Sequence, residues 1–165
     1  LPYLCHLKVN KEIVVAMSNS DSSTHEMQDK LNQLTNDYIE SEDLGDGHTL
    51  LVAACIDNDL EALKIFHNKG VDFTVRNHVG ISTLDACAMN GSSECLSYLL
   101  ENHIADELIN DQDPMSGFYP AFYAASQNFE DCYKLLEQYG ADVSLEGPFE
   151  KTAADVLQLI KEQAN

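Results

Sequence analysis

The feature that most constrains this chain is self-similarity at a fixed period. The stretch GHTLLVAACIDNDLEALKIFHNKGVD, 47–72, aligns with GISTLDACAMNGSSECLSYLLENHIA, 80–105, at an offset of 33 residues. GFYPAFYAASQNFEDCYKLLEQYGAD, 117–142, follows at 37, which is 33 plus four inserted residues. Gly47, Gly80 and Gly117 coincide, as do Ala54, Cys87 and Ala124, followed by Cys55, Ala88 and Ala125. Asn58, Gly91 and Asn128 share a place where a chain passing from one helix to the next needs a left-handed residue. Ala62, Cys95 and Cys132 form a column of small residues, and a partial copy, EKTAADVLQLIKEQAN, starts at Glu150, 33 beyond Gly117. A unit of this length cannot cover its own apolar face. Stacked neighbours bury a continuous core, and the two ends need caps.

The period, the Gly-x-Thr-Pro-Leu-His-x-Ala-Ala opening and the closing GAD at Gly140–Asp142, echoed by GVD at Gly70–Asp72, resemble the ankyrin repeat family over about 45–165. The Thr-Pro-Leu-His element is degraded in every copy: TLLV at 49–52, STLD at 82–85, YPAF at 119–122 and TAAD at 152–155. The family's Thr–His hydrogen bond is therefore expected to be missing throughout. The resemblance implies an all-α solenoid of helix–turn–helix units with short loop or β-turn fingers and helical caps. Repeats begin at about 45, 78 and 113, and a half-repeat cap covers 148–165. At 24–40, Met27, Leu31, Leu34 and Tyr38 fall at helical spacing and predict one amphipathic capping helix, N-capped by Thr24 or Ser23. In the outer helices, Leu60, Leu63 and Phe66 predict a buried stripe, matched by Glu130, Tyr133 and Leu136.

Composition narrows the function. The 165 residues carry 9 Lys plus Arg against 28 Asp plus Glu, a formal net charge of -19. Such a surface repels phosphate backbones and anionic membranes and favours basic partners. The content is 44% hydrophobic, enough for a core, yet no run approaches the ~20 apolar residues of a spanning helix. Cys5, Cys55, Cys87, Cys95 and Cys132 are odd in number with no C-x-x-C pair, and four lie in apolar helical contexts. They read as small buried hydrophobes of a reducing compartment, the cytoplasm with the nucleus also open. Residues 1–23 read as an extension. Within it LPYLCHLKVNKEIVVA, 1–16, has three readings: a translation artefact, an expression remnant, or a fused or native peptide docked on the domain.

Catalytic and metal signals are weak. None of His6, His25, His48, His67, His78 and His103 pairs with another at i+4, and none neighbours a cysteine at ligand spacing. Asp106, Glu107, Asp111 and Asp113 in the insertion 105–117 do not fit a calcium loop. That insertion is expected to be a solvated acidic loop open to contact. No phosphate-binding glycine loop or nucleophile elbow occurs, and Ser116 and Ser126 lack a base. No enzyme activity, cofactor or metal is expected. Asp85 and Asp155, standing in the family's His position, are expected to serve structure at a helix start.

The family resemblance also implies a concave groove that touches partners. Carried over residue by residue, the groove positions are His48, Ile56 and Asp57 in the first repeat and His78, Val79, Ile81, Met89 and Asn90 in the second. In the third they are Met115, Phe118, Ser126 and Gln127, with Arg76 and Glu146 near loop tips. Ile56, Ile81, Met89, Met115 and Phe118 are expected to form an apolar stripe rimmed by Asp57, Asp113 and Glu146. Four aromatics crowd into 118–123: Phe118 stands at a contact position, Tyr119 and Phe122 replace the family's Thr and His, and Tyr123 replaces a core Leu. Phe122 is open to both packing and contact. The expected function is protein binding by a free monomer, as an escort or adaptor for a basic client. A regulatory or assembly subunit docked on an enzyme or proteasome-like particle is the alternative, and an enzyme with a cryptic site the remote one.

Overall fold

The computed structural model describes residues 25–165. Its helices are α1 (His25–Gln33), α2 (Asn36–Ser41), α3 (Leu50–Ile56), α4 (Leu60–Asn68), α5 (Thr83–Asn90), α6 (Ser93–Glu101), α7 (Pro120–Ser126), α8 (Glu130–Gln138) and α9 (Ala153–Gln163). Short 3-10 turns lie at Asp106–Leu108 and Pro148–Glu150. Two rows of helices stack side by side. α2, α3, α5, α7 and α9 form the inner row, and α1, α4, α6 and α8 the outer. The central inner helices α3, α5 and α7 have neighbours on both sides, so they are apolar nearly all round: Leu50, Leu51, Val52, Ala54 and Cys55 of α3 are all buried. Outer helices bury one stripe, Ala62, Leu63 and Phe66 on α4 and Cys132, Tyr133 and Leu136 on α8. Leu60 is half-buried, as is Glu130. Cys55, Cys87, Cys95 and Cys132 are free and buried, as their helical contexts predict.

The inner-to-outer turns take the conformation expected of them. Asn58, Gly91 and Asn128 have φ of 54°, 70° and 59°. At Gly91 a second constraint acts, since an added Cβ would lie 2.8 Å from the Phe129 ring. Asn58 adds a cross-repeat tie, its side-chain oxygen accepting from the Cys95 N–H at 3.0 Å. Each inner helix is preceded by a finger. Leu44 N donates to His48 O, Asn77 N to Ile81 O, Asp113 N to Phe118 O and Gly147 N to Lys151 O. Adjacent fingers are joined, His78 N donating to Gly47 O and Gln112 Nε2 to Glu146 O.

The expected single helix over 24–40 is instead two. Thr35 turns extended (φ -75°, ψ 152°), and its hydroxyl accepts from Tyr38 N, so α2 starts afresh after a break at Leu34–Thr35. The break changes the phase. Ile39 is buried in place of Tyr38, which is half-buried. The Thr24 or Ser23 cap lies outside the described residues. The missing Thr–His bond is replaced rather than lost in two copies: Ser82 with Asp85, and Thr152 with Asp155, form complete capping boxes. Thr49 accepts from Val52 N alone. Tyr119 makes no cap, and Pro120, which has no N–H, stands at the first helical position instead.

Candidate protein-binding face

Equivalent residues of successive repeats recur at two levels, at the C-terminal ends of the inner helices and on the fingers that precede those helices. Asp57, Asn90 and Gln127 are exposed, and beside them Ile56, Met89 and Ser126 are half-buried. On the fingers His48 and Phe118 are half-buried, while His78, Val79, Met115 and Glu146 are exposed. The two histidines also stitch fingers together: Asn77 Nδ2 lies 2.8 Å from His48 Nδ1, and His78 Nε2 donates to Ser41 O at 2.6 Å.

Four expectations are corrected here. Ile81 is buried, its backbone N–H held by the Asn77 side chain at 2.8 Å, and offers no surface. Phe122 is buried because the fourth finger lies on its ring, so close that a Cβ at Gly147 would come within 2.7 Å of it. Asp113 is not a rim charge. It is buried, and its carboxylate accepts from Met115 N, Ser116 Oγ and Tyr123 OH. Burial pushes that carboxyl up, but these hydrogen bonds outweigh it and hold it below the usual range. Arg76, expected near a loop tip, is largely buried. Its guanidinium donates to Gly80 O and pairs with Asp85 at 3.0 Å and Asp111 at 2.7 Å. The insertion is accordingly a strut on one side: Asp111 grips Arg76, Asn110 accepts from Asp142 N, and Leu108 is buried.

The aromatic cluster is mostly packing. Phe118 stacks on Phe122 (5.0 Å, 20°) and meets Tyr123 edge to face (4.9 Å, 85°). Tyr123 is buried. Tyr119 is fully buried, and its hydroxyl donates to Leu145 O and accepts from Ala153 N, tying the third repeat to the cap. Only Phe118 keeps surface at the face.

Asp85 is the electrostatic exception in this region. It is fully buried. One oxygen accepts from Ser82 N and Arg76, and the other has no partner. Burial pushes its carboxyl up from 3.8 to about 6, against the opposing pull of the Ser82 N–H and the Arg76 guanidinium. The folded state therefore binds this proton more tightly than the unfolded chain. The stability it contributes is complete below about pH 4 and is lost as pH rises through about 6, on the order of 3 kcal/mol in all. Asp85→Asn removes the titration. Relative to the parent, its unfolding free energy should gain about 2–3 kcal/mol between pH 4 and 7. Urea melts of both proteins across that range are the check, and parallel stability curves would contradict the assignment.

Among the described residues no three His, Cys, Asp or Glu side chains gather as a metal cage, and no helix is long and apolar enough to cross a membrane. Sequence reasoning missed Phe149 on the fourth fingertip. Glu150 occupies the slot of Gly47, Gly80 and Gly117 and shares their positive φ, at 55°. That missing glycine was the available signal.

A family model for ankyrin repeats in three copies matches residues 16–111 and 50–147. The chain belongs to the ankyrin-repeat family. Ankyrin repeats are in general protein–protein interaction modules, and the two-row stack with its fingers is the all-α solenoid that membership requires. The match begins ahead of α1, so its first residues lie outside the described part. Among curated proteins, Alpha-latrotoxin-Lg1a of Latrodectus geometricus is 27% identical over 116 residues, which is 69% of this chain and 8% of that protein. The ankyrin stack described here thus corresponds to a small fraction of that relative's length.

Proposed function

We propose that this ankyrin stack binds a basic protein client along its inner face, as an escort or adaptor in a reducing compartment. The carrying observation is the recurrence across three repeats of an exposed polar residue (Asp57, Asn90, Gln127) next to a half-buried side chain (Ile56, Met89, Ser126). That gives a surface with apolar footing at Ile56 and Met89, a polar one at Ser126, and polar edges throughout, the anatomy of an interface. The net charge of -19 supports a basic client, because attraction over a Debye length accelerates encounter. The buried free thiols support the compartment.

The test is capture from cell extract at low and at high salt, followed by identification of what is bound. A single basic protein, recovered at low salt and shed as salt rises, is the expected result. A neutral or acidic client held equally at both would remove the steering claim.

A further inference from the structure

The described residues expose four large apolar side chains strongly, and three of them sit on successive fingertips. Val79 is on the second, Met115 on the third at 82% exposure, and Phe149 on the fourth at 87%. The third and fourth tips are held together. Gln112 Nε2 donates to both Gly117 O and Glu146 O, and a Cβ at Gly117 would touch the Pro148 ring at 3.8 Å. Met115 and Phe149 therefore ride on neighbouring, mutually braced supports.

The backbone holds Phe149 outward at a cost. Phe149 and the following Glu150 both sit in the left-handed region, φ 62° and 55°, which L side chains avoid. Glycine at position 150, as in the other three copies, would relieve half of this. An exposed phenylalanine on a strained tip is opposed by both solvation and backbone sterics, and among the described residues no core contact compensates for it.

The charge around the tips is one-sided. Asp43, Asp46, Asp111, Glu146 and Glu150 are exposed along the finger edge. Of the described Lys and Arg side chains there, Arg76 is already held between Asp85 and Asp111, which leaves Lys151. We propose that the third and fourth fingertips form a two-point apolar clamp, Met115 and Phe149, for a partner segment that carries apolar anchors between basic residues. The inference rests on the reading that the chain binds a basic protein, and adds where and by what side chains the partner is gripped. Apolar anchors fill the contacts that Met115 and Phe149 leave open. Interspersed Lys or Arg answers the acidic flank, which acidic segments and anionic lipid surfaces do not.

The probes are three labelled twelve-residue peptides: Lys and Arg interspersed with Leu and Tyr, the same cations with Gly and Ser, and the apolar set with Glu as the charge. With the full chain, the first should bind at least ~10-fold tighter than either of the others. Phe149→Ser and Met115→Ser should each weaken it ~10-fold or more. Leu159→Ser, an exposed apolar site on α9 rather than on a tip, should not. Both tip side chains are almost wholly exposed, so unchanged melting curves confirm intact folding. If Asn90→Arg on the inner face weakens the peptide while Phe149→Ser does not, the clamp falls and the inner-face reading stands. If neither variant matters, both fall. Equal binding of the acidic–apolar peptide overturns the clamp. So does Phe149-dependent binding to phosphatidylcholine–phosphatidylserine vesicles, or a Phe149-dependent dimer in sedimentation.

Discussion

Tyr119→Ala should cost about 3–5 kcal/mol of folding free energy, the range for truncating a buried aromatic. Tyr119 is fully buried where the third repeat meets the cap. Its loss opens a cavity there and also strands Leu145 O and Ala153 N, both of which bond to its hydroxyl. Tyr119→Phe separates the two effects. It keeps the ring and removes only the hydroxyl, so about 1–3 kcal/mol should go, the cost of leaving buried polar groups unpaired. Nearest-neighbour coupling in a solenoid predicts where the damage appears: α9 should lose hydrogen-exchange protection first and α4 last. A neutral Tyr119→Phe in urea melts would show that the hydroxyl bridge contributes nothing, and that shape alone anchors the cap.

Phe118→Ala should weaken client binding about 30-fold or more, the effect of truncating an aromatic anchor worth at least ~2 kcal/mol. The structure changes the second half of this expectation. Read from sequence, a contact residue at 118 can be cut with little change in folding. In the fold Phe118 packs on both Phe122 and Tyr123, so truncation should also lower stability by roughly 1–3 kcal/mol, from two aromatic pairs at ~0.5–1.5 each. Affinity must therefore be read under conditions where the variant is folded. Tyr123→Phe is the companion. It keeps the ring that Phe118 leans on and removes only the hydroxyl's bonds to Asp113 and Ser116, so it should leave affinity near that of the parent. If Phe118→Ala binds as well as the parent once folded, the aromatic cluster is packing alone.

The repeat was legible because its signals are local. Period, small-residue columns and the left-handed positions 58, 91 and 128 all follow from what one helix–turn–helix unit demands. The surface was only partly legible, because exposure on a stack depends on what the neighbouring repeat lays over a residue. Phe122 and Asp113 occupy positions that look open within their own unit. One is covered by the backbone at Gly147. Against the other lies Gly80, whose added Cβ would come within 2.9 Å of the carboxylate. Arg76 looks like a free loop cation until Asp111 is folded back onto it from 35 residues away. The helix break at Thr35 was within reach of sequence, since Thr followed by Asp37 in the next turn is a local start signal. A long apolar spacing running through it hid the signal.

The most direct test of the account is the hydrogen-exchange footprint of the captured client on this chain. Amides of the finger tips and of the inner-helix ends around 56–58, 89–91 and 126–128 should slow on binding. The outer helices α4, α6 and α8 should exchange as they do in the free protein. Protection confined to those outer helices would place the client on the opposite face and contradict the account.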